Sequence, residues 1–269
     1  MLKIGFLGGG NMARAIAGGL VAAGTSPDHI TVMDRHPEKL AALHGSLGVN
    51  TRETLGEWVR DLDVVVLAVK PQGLKDSCLQ AAAFINPAST ILSIAAAVPA
   101  ASIAGWLKTD RIVRAMPNTP AMVQKGCTGL YASAGAAPLD RERAQSVMQS
   151  VGTTEWVEAE EALHLVTAGP GAGPAYVFLF MEALAQALQD EGLAADKAKA
   201  LALSTVEGAA ALARQSGADF ETLRLNVTSK GGTTAKAIEA FEAHDLRGVV
   251  KAAVKACAQR SRQMSELFA

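Results

Sequence analysis

The chain has 269 residues, 49% of them apolar, and a formal net charge of −1 with no block of like charges. That length suits one large domain or two modest ones. The near-neutral balance leaves no electrostatic footprint for nucleic acid or for an acidic membrane surface, so small-molecule chemistry is the expected class.

The opening Met1-Leu2-Lys3-Ile4 runs straight into a strand pattern, with no room for the regions of a signal peptide. Cys78, Cys127 and Cys257 lie far apart and form no CxxC pair, so neither a disulfide framework nor a thiolate zinc site is expected. None of His29, His36, His44, His164 and His244 sits in a metal-ligand spacing. The apolar stretches at 91–107 and 175–188 are interrupted by Pro99 or are short and carry Glu182 and Gln186, so neither reads as a membrane span. A cytoplasmic protein without a metal is the expectation.

Short β-rich runs at 3–7, 30–33, 64–69, 90–94, 111–115, 128–131 and 154–157 alternate with helical patterns, which predicts an α/β fold with a parallel sheet. Val64-Val65-Val66-Leu67-Ala68-Val69 is continuously apolar, as a strand covered on both faces requires. Past 162 alanine, leucine and glutamate dominate, and helices are predicted at 162–167, 174–191, 195–215, 220–226, 234–244 and 246–267. Pro174 at a helix start, Gly192 and Gly217 near helix ends, and Asp219 and Asp245 as N-caps mark their limits. The reading is a Rossmann dinucleotide-binding domain over 1–161 followed by an all-helical domain over 162–269.

In Gly8-Gly9-Gly10-Asn11-Met12-Ala13 the first strand ends and a helix begins. The spacing Gly8-x-Gly10-x-x-Ala13 is the dinucleotide fingerprint: a tight turn, a close approach for pyrophosphate, and close helix–strand packing, with the amides at Asn11 and Met12 opening the helix. Asp34 and Arg35 end the second strand, where the adenosine ribose lies in this fold. Asp34 suits the ribose hydroxyls of NADH and Arg35 the 2′-phosphate of NADPH, so both cofactors stay open. Ala68-Val69-Lys70-Pro71 and Arg114-Ala115-Met116-Pro117-Asn118 also fall at strand carboxyl ends, where such sheets bind ligands, although a rigid proline-set turn accounts for each equally well. Ser229-Lys230-Gly231-Gly232-Thr233-Thr234 opens a helix, and its free amides suit a carboxylate. The run Glu158, Glu160, Glu161 reads as a solvated acidic face.

Helix 174–191 is apolar around most of its circumference, whereas a surface helix needs one apolar stripe. A second copy of the helical domain is expected to cover it. Between Pro174 and Asp196 there is no lysine, which removes the base that a β-hydroxyacid dehydrogenase would need there. A non-catalytic nicotinamide sensor is a further alternative, against which the anion-suited turn speaks.

Taken together, the segments at 5–13, 68–71, 93–96, 114–120, 171–176 (Gly171-Ala172-Gly173-Pro174-Ala175-Tyr176) and 227–234 resemble pyrroline-5-carboxylate reductase along essentially the whole chain. The resemblance implies reduction of 1-pyrroline-5-carboxylate to L-proline with NADPH or NADH, the last step of proline synthesis. It implies a dimer through the helical domains, in some members a ring of five dimers. It also places the substrate carboxylate on Ser229, Gly231, Gly232 and Thr233 and the Thr234 hydroxyl, the expected catalytic group, near the ring nitrogen. Because the imine can arrive protonated, no strong protein acid is required and orientation is the main task. The chain departs from the family at Pro170 and Ala172, where serines are usual, at Lys230, where proline is usual, and at Ala97, in place of a common glycine.

Overall fold

The computed structural model describes residues 2–268. Its first part runs β1 (Ile4–Leu7), α1 (Asn11–Ala22), β2 (Ile30–Met33), α2 (Pro37–Leu47), β3 (Asn50–Arg52), β4 (Val64–Leu67), α3 (Pro71–Ala81), β5 (Thr90–Ser93), α4 (Ala100–Leu107), β6 (Ile112–Met116), β7 (Gly126–Ala132), α5 (Pro138–Gln149) and β8 (Gly152–Trp156). The strands form one sheet in the order β3-β2-β1-β4-β5-β6-β7-β8.

The continuous apolar runs do what two-sided burial demands. Val64 and Val66 enter one core with Phe6, Ile16 and Leu20, while Val65 and Leu67 enter the other with Leu74, Ile91 and Ile103. Helix α1 supplies Ala13, Ile16, Ala17 and Leu20, one stripe at helical spacing, to the first of these cores.

The sheet departs from the expectation in the direction of one strand, in one added strand and in the end of another. Strand β7 runs antiparallel to β6, because the connection 117–125 holds only the short turn Thr119–Val123 and a parallel return needs a longer crossover. Strand β3, at the sheet edge beside β2, was not expected at all. Strand β4 also stops at Leu67, two residues before the apolar run ends.

The helical part comprises α6 (Leu163–Val166), a wide turn at Thr167–Gly171, α7 (Gly173–Asp190), α8 (Ala195–Ser216), α9 (Phe220–Asn226), α10 (Thr233–Ala243) and α11 (Leu246–Glu266). Asp219 caps α9 by accepting from the Thr222 amide, and Asp245 accepts from the Gly248 amide at the start of α11. The chain divides into two compact units, one running to Ala172 and taking back the chain from Ala256, the other spanning Gly173–Lys255. The divide falls later than the 161/162 boundary read from composition, because α6 packs on β7 and stays with the sheet. No helix among the described residues is long and apolar enough to cross a membrane.

In the second unit the only buried residues are the alanines Ala198 and Ala202, while Phe178 (64%), Leu179 (66%) and Phe220 (83%) are exposed. A fully buried leucine or phenylalanine contributes about 1.5–3 kcal/mol. The unit therefore leaves most of its available hydrophobic stabilisation unused within one chain.

The last turns of α11 dock in the first unit, where His164 Nδ1 and Ser261 Oγ lie 2.8 Å apart and Ser102 Oγ donates to the Phe268 carbonyl at 2.8 Å. His164 is buried, and burial pushes its pKa below the ordinary imidazole value, partly opposed by Glu161. A histidine held neutral in this way contributes stability that is present above its unfolded pKa of about 6.5 and is lost as pH falls below it. The thermal midpoint is expected to drop on acidification through this window, and His164→Asn, which keeps a hydrogen-bonding group facing Ser261, to flatten the drop. Identical pH slopes in the two proteins would remove His164 from that account.

Candidate active site

In the first unit the chain order reverses at β1, which has β2 on one side and β4 on the other. The carboxyl ends around that switch point are where open α/β sheets bind ligands. The turn leaving β1 is held by the Gly8 amide donating to the Met33 carbonyl at 2.8 Å. Gly8 has φ +109°, and a Cβ there would meet the Ala68 carbonyl oxygen at 2.7 Å. Gly10 is different: its φ of −72° suits any residue, and a Cβ there would meet nothing within 4 Å. It forms the N-cap of α1, with Asn11 and Met12 in the first turn behind it. The open space in front of Gly10, at a helix N-terminus with unpaired amides, fits a pyrophosphate.

Asp34 has a role that spacing alone did not show. Its two carboxylate oxygens accept from the Gly9 amide at 2.8 Å and the His36 amide at 3.0 Å, and Lys39 Nζ stands 3.8 Å away. Asp34 is thus a clamp that locks the glycine turn to the end of β2. Arg35 is exposed and makes no ion pair among the described residues. After β4, the Ala68 amide donates to Leu7, and Val69 and Lys70 lead into Pro71 at the first position of α3.

The Asn118 side chain is engaged within the protein. It is 8% exposed, donates from Nδ2 to the Pro170 carbonyl at 2.9 Å, and accepts the Cys127 amide at 2.9 Å. Its amide ties the end of β6 to β7 and to the wide turn at Thr167–Gly171, so it acts as scaffold. In the acidic run Glu158 and Glu161 are exposed as expected, but Glu160 is not simply solvated: its Oε1 accepts from Arg114 at 2.8 Å and from the Ala100 amide at 2.7 Å. The available signal was Arg114 itself, an arginine inside an apolar strand, since a buried guanidinium calls for a carboxylate.

The other candidate group lies in the second unit. Helix α10 begins at Thr233, one residue earlier than expected, with Gly232 as N-cap. Gly231 takes φ +73°, which lets the turn reverse without strain. The Gly232 amide donates to the Ser229 carbonyl at 3.0 Å, so it is engaged within the turn and does not remain for an anion as the sequence suggested. The first intrahelical bond is from Lys236 to Gly232, which leaves the amides of Thr233, Thr234 and Ala235 without backbone acceptors. The Thr234 hydroxyl has no hydrogen-bond partner among the described residues. Free amides, a helix dipole and a free hydroxyl make a cradle for a carboxylate with a neighbouring polar atom.

The family model described as "Pyrroline-5-carboxylate reductase dimerisation" matches residues 160–264, and one described as "NADP oxidoreductase coenzyme F420-dependent" matches residues 3–97. The chain is 41% identical to a pyrroline-5-carboxylate reductase of Pseudomonas aeruginosa over 98% of its own length and 97% of the relative's. The structure of a pyrroline-5-carboxylate reductase from Coxiella burnetii superposes with a TM-score of 0.94 at 39% identity, covering 98% of each chain. That of a Plasmodium falciparum pyrroline carboxylate reductase with NADP bound superposes with a TM-score of 0.85 at 26% identity, again over 98% of each. Full-length identity at this level, on the same two-part architecture, leads to one conclusion: the chain belongs to the pyrroline-5-carboxylate reductase family.

Proposed function

We propose that the chain reduces 1-pyrroline-5-carboxylate to L-proline with NADPH or NADH, using the glycine turn of the first unit for the cofactor and the Ser229–Thr234 region of the second for the substrate. The observation that carries the reading is the pairing of an open Gly10 at the α1 N-terminus with unpaired amides and a free hydroxyl at the α10 N-terminus, in a chain of this family. The cofactor, when bound, supplies a hydride to the imine carbon. The chain's own residues bind and orient. The amides of Gly231, Thr233 and Thr234 hold the carboxylate, and the Thr234 hydroxyl hydrogen-bonds the ring nitrogen and selects the ring face presented. Since the nitrogen can arrive protonated, no buried acid is needed, and the absence of lysine from α7 speaks against alcohol oxidation. A steady-state assay with pyrroline-5-carboxylate and each reduced cofactor tests the proposal. Intact cofactor binding without any substrate-dependent oxidation would favour the sensor instead.

Arg35 is proposed to read the 2′-phosphate, because it is exposed and unpaired while Asp34 is engaged with Gly9 and His36. Arg35→Ala is expected to weaken NADPH by about one order of magnitude, the effect of a charge-assisted hydrogen bond partly screened by solvent, and to leave NADH nearly unchanged. Equal losses for the two cofactors would show that Arg35 does not contact the phosphate.

The exposed apolar faces of α7 and α8 support a homodimer through the helical unit, which we propose as the building block of a ring of five dimers. Light scattering at micromolar concentration is expected to give at least twice the chain mass, and a fully active monomer would overturn the assembly. The reading assigns the enzyme to the cytoplasm, where free thiols such as Cys78, Cys127 and Cys257 persist.

A further inference from the structure

The loop at 94–99, between β5 and α4, is held in a shape its own sequence resists. Ala97 sits at φ +64°, in the left-handed region that favours glycine. One end of the loop is fixed by the Ile94 amide donating to the Leu67 carbonyl at 3.2 Å. At the other end the Ala100 amide, the first of α4, donates to Glu160 Oε1 at 2.7 Å across a sequence separation of 60 residues. The same oxygen accepts from Arg114 at 2.8 Å. Arg114 is 6% exposed, and its Nε has no partner among the described residues, so Glu160 is the main compensation for a buried charge. One carboxylate oxygen thereby joins the middle of β6 to the start of α4.

The position of this loop gives the junction its meaning. With the adenosine ribose at the end of β2 and the pyrophosphate before Gly10, an extended dinucleotide continues past the switch point over the carboxyl ends of β4 and β5. Those ends carry the segments 68–71 and 94–99. Resting on the reading that the chain is an NAD(P)H-dependent imine reductase, we propose that Glu160, gripped by Arg114, is a positioning residue that caps α4 and holds the loop 94–99 in the shape that seats the nicotinamide half of the cofactor.

The test separates the two halves of the cofactor, using NADPH as the whole molecule and ADP-ribose as a probe that lacks nicotinamide. Glu160→Ala is expected to weaken NADPH and lower kcat by about tenfold each, with ADP-ribose affinity within about twofold of the parent, and Glu160→Gln, which keeps an acceptor, to recover most of both. Removing the partner of a buried charge is destabilising, so Ala100→Pro serves as the second variant and decides alone where Glu160→Ala does not fold. Proline suits a first helical position, and Pro99 before it is already extended with ψ 146°. The change deletes the amide hydrogen that Glu160 accepts and points a ring methylene at Glu160 Oε1 from a position only 4% exposed, so it parts the start of α4 from Glu160, and the same split between NADPH and ADP-ribose is expected. Unchanged NADPH affinity and kcat in these variants, or equal losses for ADP-ribose and NADPH, would overturn the proposal. Parent protein that binds NADPH but does not reduce pyrroline-5-carboxylate would instead overturn the functional reading on which it rests.

Discussion

Gly10→Val is expected to abolish dinucleotide binding in a protein that remains folded. The two glycines of the fingerprint do different work. Gly8 has φ +109° and backbone atoms of the strand-β4 exit within 3 Å of where a Cβ would stand, so any side chain there damages the fold. Gly10 has an ordinary backbone and open space, so its glycine is required by what approaches it. Valine at this N-cap costs the helix about 1 kcal/mol at most, a small fall in thermal midpoint. In front of the α1 amides the two methyls would stand where the pyrophosphate is proposed to lie, and a loss of at least about two orders of magnitude in affinity is expected, because close contact and several charge-assisted hydrogen bonds would go together. Calorimetric titration with NADPH and a melting curve read the two effects separately. Near-parental affinity in folded protein would move the cofactor away from this turn. Ala13, the third position of the motif, gives no such clean test: at 1% exposure it belongs to the core, and Ala13→Glu would bury a charge and unfold the unit.

The parts legible in the sequence were those whose cause is local. Continuous apolar runs gave β1, β2, β4, β5 and β6 because a sheet buried on both faces leaves no polar alternation, and Gly8-x-Gly10 announced its turn because conformation and close approach both select glycine there. Strand β3 escaped because Asn50-Thr51-Arg52 has no buried side chain and forms only by pairing with β2 at the edge. The direction of β7 is a matter of connection length, which patterning does not encode. The site residues read less completely, since their partners are distant in the chain. Spacing does not show that the Asp34 oxygens accept from Gly9 and His36, that the Asn118 side chain is held by Pro170 and Cys127, or that Glu160, read as surface, stands beside Arg114. In each case the polar side chain answers a backbone or buried group that only the fold brings near.

Thr234→Ala is expected to lower kcat/KM for pyrroline-5-carboxylate by one to two orders of magnitude, about 1.4–2.7 kcal/mol of transition-state stabilisation, with cofactor affinity unchanged. The structure makes this a discriminating substitution. The hydroxyl bonds to nothing else among the described residues, and alanine is a better helix former than threonine, so neither α10 nor its unit is weakened by the change. The amides proposed to hold the carboxylate are backbone groups and survive it. What would be lost is the side-chain contact to the ring nitrogen proposed for Thr234, which would set how the imine carbon is presented. The loss should therefore fall mainly on kcat, since a carboxylate still bound by its amides keeps KM close to the parent value. Gly231→Val gives the opposite split: at φ +73° a branched residue distorts the turn, displaces the amides and raises KM. Normal turnover by Thr234→Ala, or a loss confined to KM, would show that the ring nitrogen is oriented by some other group, even in a chain whose family is settled by its whole length.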